Sequence, residues 1–123
     1  MMKSATPLRA PNVDLRAALA GFPSAAVDAV LGWHETPSSA RLDAALRAVI
    51  EFYLPVVCRR SLSGVPATTR LREELGVDSL TLAEMAFKCD ELFGVSIELR
   101  EVAGVSTLGD LLAFLETKLG EAR

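Results

Sequence analysis

An all-helical fold is predicted for this 123-residue chain: three longer helices and one short one, preceded by a helical extension. Three observations predict it. Apolar residues recur at helical spacing in three separate segments. Alanine and leucine, both strong helix formers, dominate the hydrophobic half of the composition. Aromatic residues make up only 6%, and no segment shows convincing strand alternation or an internal repeat. The length fits one domain with an appendage. A domain this small buries only about 60–70% of the surface of its unfolded chain. That allows a modest core, with little room for a deep enclosed active site as well.

The elements follow in order. Residues 1–11 hold Pro7 and Pro11 and few large apolar groups, which predicts a loose tail. Residues 12–20 predict a short helix capped by Asn12 and stopped at Gly21. Residues 23–31 predict a second, with Pro23 near its start and Gly32 just past its end. Both fall below the roughly 12–15 residues at which an isolated helix becomes even marginal. They must therefore dock on the rest of the chain or on a partner, through Leu15, Leu19, Val27, Val30, Leu31 and Trp33. Trp33 to Ser38 reads as a joint, so residues 1–38 form an extension and residues 39–123 the main domain.

In segment 39–54, Leu42, Leu46, Val49, Ile50, Tyr53 and Leu54 fall on one helical face, and Pro55 ends it. Residues 55–69, with Pro55, Gly64 and Pro66, predict a long connection. Val56, Val57, Leu62 and Val65 can anchor it. Segment 79–93 carries the inward stripe Leu82, Met85, Ala86, Cys89, Leu92 and Phe93, with Gly94 placed for a left-handed stop. A short piece is expected near 99–103. The last helix, about 107–119, shows Leu108, Leu111, Leu112, Leu115 and Leu119 on one face, and Thr107 with Asp110 has capping-box spacing.

Net charge is −3, which argues against nucleic-acid binding, since phosphates call for a concentrated basic surface. Acidity concentrates in residues 70–101, with four basic against eight acidic groups, so a partner of that segment should be basic. Cys58, Cys89 and the single His34 fit no metal or redox spacing. The two cysteines read as reduced thiols. The N-terminus leads into no continuous apolar run, so neither a signal peptide nor a membrane span is expected, and the cytoplasm is the default.

The chemistry sits in Leu71-Arg72-Glu73-Glu74-Leu75-Gly76-Val77-Asp78-Ser79-Leu80. An acidic turn and a serine stand directly before an amphipathic helix. The plain reading is an N-cap, because Ser and Asp are preferred there. The same position suits an anionic substituent, because free N–H groups and the helix dipole favour negative charge at that end. Leu75 and Val77 can turn inward while Ser79 faces solvent. A second face of the helix carries Leu80, Glu84, Phe87 and Glu91. Carboxylates there can steer a basic partner while the apolar groups supply contact area. The alternative is a solvated face with Phe87 tucked against the loop or the extension.

From about residue 40 to 119 the order of these features resembles an acyl carrier protein. Leu75-Gly76-Val77-Asp78-Ser79-Leu80 is similar to the family's attachment motif. Glu91-Leu92-Phe93-Gly94-Val95-Ser96-Ile97 is similar to its acidic-Phe turn, and Val105 to Leu111 to the start of its last helix. The resemblance implies a four-helix acyl-carrier-like bundle, three longer helices plus one short, with 4′-phosphopantetheine covalently attached to Ser79. It implies that Asp78 and Leu80 help present that serine, and that Leu80, Glu84, Phe87 and Glu91 form the partner face. The reactive thiol would belong to the arm and not to Cys58 or Cys89.

The partners implied are a phosphopantetheinyl transferase and acyl-loading, condensing and tailoring enzymes with basic docking patches. The protein would be a discrete carrier without catalytic residues of its own or a metal. It would serve fatty acid or polyketide-type biosynthesis. Lys88 within the acidic helix, the extension and the long loop lean towards a specialised pathway. A stand-alone peptidyl or aryl carrier of nonribosomal synthesis fits the same residues, and a non-carrier helical interaction module is the reading from a different class. A serine hydrolase is disfavoured, since Ser79 lies in no Gly-x-Ser-x-Gly elbow and His34 is the one possible histidine base.

Overall fold

The structure is a computed structural model that describes residues 15–55 and 60–122, with the side chains of residues 121 and 122 left out. The expected tail over 1–11, the Asn12 cap, the anchors Val56 and Val57, and Cys58 lie outside the described residues. The described residues form six helices: α1 (Leu15–Ala18), α2 (Ser24–Glu35), α3 (Ser39–Tyr53), α4 (Ser79–Phe93), α5 (Leu99–Val102) and α6 (Leu108–Ala122). No strand occurs among the described residues. One isolated antiparallel bridge joins Arg70 and Thr107.

Each of the three 15-residue helices, α3, α4 and α6, begins where its sequence supplies a cap. The Ser38 side chain accepts from the Arg41 N–H at 3.1 Å to open α3. Asp78 accepts from the Thr81 N–H at 2.8 Å to open α4. At α6, Thr107 Oγ1 accepts from the Asp110 N–H while Asp110 Oδ2 accepts from the Thr107 N–H, the reciprocal box that the spacing predicts. Gly94 ends α4 at φ 72°, a left-handed conformation that costs glycine nothing.

The core gathers the inward stripes. Leu46, Ile50, Met85, Leu92, Leu111 and Leu115 are all fully buried. The same cluster takes in Ala18, Leu19, Val30 and Trp33, so the N-terminal segment contributes to the main core. Trp33 stands edge-on to Phe93 with ring centroids 5.1 Å apart, and His34 Nε2 lies 2.6 Å from the Leu92 carbonyl oxygen. Phe22, in the turn between α1 and α2, stacks on Phe52 at 4.1 Å. Unlike the predicted helix, which stops at Gly32, α2 runs on to Glu35.

The long connection is held by polar groups as well as by apolar ones. Buried Leu62 donates its N–H to Glu51 Oε2 at 2.8 Å. Arg47 pairs with Asp43 and donates from Nη1 to the carbonyls of Leu62 and Val65. Further along, Leu71 N–H donates to Ser106 O, Leu108 N–H to Thr69 O and Gly109 N–H to Ala67 O, at 2.8–3.0 Å. These bonds lash the segment preceding α4 to the start of α6. Satisfying backbone groups in this way lets a strandless loop lie against a core.

Candidate functional site

The turn before α4 sorts its residues by burial. Leu71, Leu75 and Val77 are buried, whereas Arg72, Asp78, Ser79 and Leu80 are exposed. The sorting follows from backbone geometry. Gly76 adopts φ 75°, and the Val77 N–H returns to the Leu71 carbonyl at 2.9 Å. That closes a compact loop with three apolar side chains pointing down and the polar ones pointing out. Ser79 is then the first residue of α4, immediately after its Asp78 cap.

At the site, the Arg72 guanidinium donates from Nη2 to Ser79 Oγ at 2.6 Å. The Asp78 carboxyl is held below its ordinary value, first by the Thr81 N–H, then by the Thr81 hydroxyl, with the Arg72 charge contributing. Arg72 and Ser79 also line an open cleft of about 180 Å³ with Leu82, Leu99, Val102 and Ala103. The cleft therefore lies between the start of α4 and α5, apolar on its flanks and polar at its mouth. Residue spacing does not place Arg72 at the site, because only the Gly76 turn brings it to Ser79. Nor does spacing mark Leu99, a large apolar side chain left 54% exposed.

The second face of α4 is arranged unevenly. Leu80 is 69% and Phe87 56% exposed, so Phe87 is not tucked against the loop or the extension. Glu84 is exposed between them. Glu91 differs: it is half-buried and pairs with Lys88 Nζ at 2.9 Å. Cys89 lies fully buried, its thiol pushed up to about 12 by desolvation and by the Asp90 charge. A thiol in that state is a small core residue and a poor nucleophile.

The family model described as "Phosphopantetheine attachment site" matches residues 53–115, a span that contains the α4 turn, the cleft and the capped start of α6. The acyl carrier protein of Exiguobacterium sp. is 33% identical over 60 residues, covering 49% of this chain and 76% of that protein. The acyl carrier protein of Thermotoga maritima is 34% identical over 58 residues, covering 47% and 72%. The meromycolate extension acyl carrier protein of Mycolicibacterium aurum is 34% identical over 44 residues, covering 36% and 45%.

The site fits the prosthetic group such a family carries. An exposed hydroxyl on the first turn of a helix, where backbone N–H groups favour an anion, has a guanidinium against it and an adjoining apolar cleft, an arrangement that can accommodate a phosphodiester-linked arm. Among the described residues no helix is long and apolar enough to cross a membrane. With its matched span, its all-helical fold and its relatives in agreement, the chain belongs to the acyl carrier protein family, whose members carry a covalently attached 4′-phosphopantetheine.

Proposed function

We propose that Ser79 is the attachment point of the arm and that the protein is a discrete carrier. On this reading it presents acyl thioesters to partner enzymes of fatty acid or polyketide-type synthesis in a specialised pathway, and has no catalytic residues of its own. The observation that carries the reading is the exposed Ser79 hydroxyl on the first turn of α4, directly after the Asp78 cap. Asp78 keeps the turn in one conformation, so the hydroxyl stays outward. Arg72 would lie against the attached phosphate, and Leu82, Leu99 and Val102 would flank the arm or its cargo. When bound, the arm supplies the thiol that takes the acyl group, a role for which buried Cys89 is unsuited.

The specialised-pathway reading draws on two supports. One is the similarity to carriers named for meromycolate extension. The other is residues 1–38, which we treat as an extension of a carrier unit spanning 39–123 and which add Trp33 and Val30 to its core. Partners approach along Leu80, Glu84 and Phe87, where carboxylate and exposed apolar groups alternate. A phosphopantetheinyl transferase, and the loading and condensing enzymes after it, would dock there with basic patches.

Incubation with coenzyme A and a broad-specificity transferase, followed by intact-mass measurement, tests the attachment. One phosphopantetheine should appear on the wild-type protein and none on Ser79→Ala. A bare wild-type protein, or an equal gain in the variant, would refute it. Identifying the acyl groups that accumulate on Ser79 in the native cell would test the pathway.

A further inference from the structure

We infer that Arg72 clamps the phosphodiester of the arm and sets its direction along the α4–α5 cleft. The inference rests on Ser79 being the attachment point. A guanidinium that donates to a neutral hydroxyl uses little of its charge. Once Ser79 Oγ becomes the bridging oxygen of a phosphodiester, a negative charge lies on the neighbouring non-bridging oxygens. The donor already 2.6 Å from Oγ then meets an anion with no change of backbone. Arginine suits that task, because its planar fork of N–H groups matches phosphate oxygens.

Three further observations support the assignment. The backbone under Arg72 is pinned: its neighbour Leu71 is buried, the Arg72 carbonyl accepts from Gly76 N–H at 3.1 Å, and Val77 N–H closes on Leu71 O. Glu74 accepts from the Arg70 N–H and Asp78 from the Thr81 N–H, so Asp78 feels the Arg72 charge while the Arg72 hydrogen bond goes to Ser79. Arg72 also lines the same cleft as Ser79, together with the apolar Leu99 and Val102. A phosphate held at that mouth has its outward swing restricted, so the arm is biased towards the cleft. Arg72 is thus a positioning residue, one of four basic groups in an acidic segment, and its place at the serine is not explained by helix capping, which Asp78 performs.

The test uses wild type, Arg72→Gln and Arg72→Lys, each loaded with phosphopantetheine and checked by intact mass. ³¹P resonance position and relaxation report how the phosphodiester is held. The hydrolysis rate of a short acyl thioester on the arm reports its residence at the cleft. Arg72→Gln should shift the ³¹P signal towards that of a free phosphodiester. It should also raise hydrolysis about two- to fivefold, the scale of one exposed ion pair. Arg72→Lys should restore part of both, and salt should erode the wild-type advantage.

Arg72 side-chain resonances should also move between unloaded and loaded wild-type protein, a readout that needs no variant. Equal ³¹P behaviour and hydrolysis across loaded proteins, or unmoved Arg72 resonances, overturns the clamp alone. A wild-type protein that takes no arm, or a Ser79→Ala variant that does, overturns the attachment reading itself and the clamp with it.

Discussion

The Lys88 ammonium donates to the Ala18 carbonyl at 3.0 Å while pairing with Glu91 at 2.9 Å. In the sequence this lysine interrupts an acidic helix. In the fold it fastens the last residue of α1 to the middle of α4, and its cation stands 6.0 Å from the Phe22 ring. Cations favour helix C-terminal carbonyls for the same reason anions favour N-termini. Lys88→Met keeps much of the stem and removes the charge. It should cost about 1.5–3 kcal/mol, the range for a hydrogen bond to a charged group. Amide exchange over residues 15–22 should rise well before exchange in α4 does. Unchanged exchange there would show that apolar packing alone holds α1.

Trp33 makes the larger contribution to that docking. It is buried between α2 and the end of α4, edge-on to Phe93. Trp33→Ala should lose about 3 kcal/mol or more by denaturant titration, as truncation of a buried aromatic does. The Phe93 side of the core should loosen with it. Removal of residues 1–37 should destabilise the remainder similarly, because Val30 and Leu19 leave the same cluster. A truncated protein of unaltered midpoint would refute a structural role for the extension.

The partner face proposed for α4 should separate binding from folding. Leu80 and Phe87 protrude into solvent, so Leu80→Ala and Phe87→Ala should shift stability by no more than about 0.5 kcal/mol. Each should lower kcat/KM of the phosphopantetheinyl transferase several-fold. Glu84→Lys should act mainly on association rate, and its effect should shrink as salt rises. Glu91→Lys should instead lower stability, because Glu91 is paired to the lysine that holds α1.

The helices most legible in the sequence were those whose burial is one-sided. The Leu82–Phe93 stripe, Gly94 and the Thr107–Asp110 box are local signals, and each maps onto one helix or one cap. The end of α2 was not legible. Gly32 reads as a stop, yet the helix continues because Trp33 and His34 gain partners on α4 that lie far off in sequence. Tertiary contacts of this kind override propensity. The exposed place of Ser79 at the start of α4 was legible in the sequence, whereas that of Arg72 beside it was not, since its position depends on the φ 75° of Gly76 and on a register that residue spacing does not encode.

Three of the carboxylates that accept from backbone N–H groups are held below their ordinary pKa and contribute to the response to acid. Asp110 is held below its ordinary 3.8 by the N–H groups of Ser106 and Thr107. Asp78 is lowered chiefly by Thr81, and Glu101 is held below 4.5 by the Glu98 N–H and then by Lys118. A carboxyl whose pKa is lower folded than unfolded stabilises the fold fully above its unfolded value. That stabilisation drains as pH falls towards and through the folded value. Tm should therefore be flat above about pH 5 and fall progressively below 4.5. Asp110→Asn, which keeps one acceptor oxygen but cannot titrate, should lower Tm at pH 7 and flatten the acid limb. An acid limb as steep as wild type would remove Asp110 from the account.

Thiol reactivity distinguishes the protein's own sulfur from that of its arm. Cys89 is buried, and its thiol is pushed up to about 12, so almost no thiolate exists near neutrality. An alkylating reagent needs the thiolate and access to it, and the folded core denies both. Cys58→Ser protein should therefore take up no iodoacetamide before loading and one equivalent after loading, all of it on the arm. Urea should expose Cys89 and add a second equivalent. Alkylation of Cys89 in the folded, unloaded protein would mean that α4 opens far more readily than its packing implies, and the inward stripe would have to be redrawn.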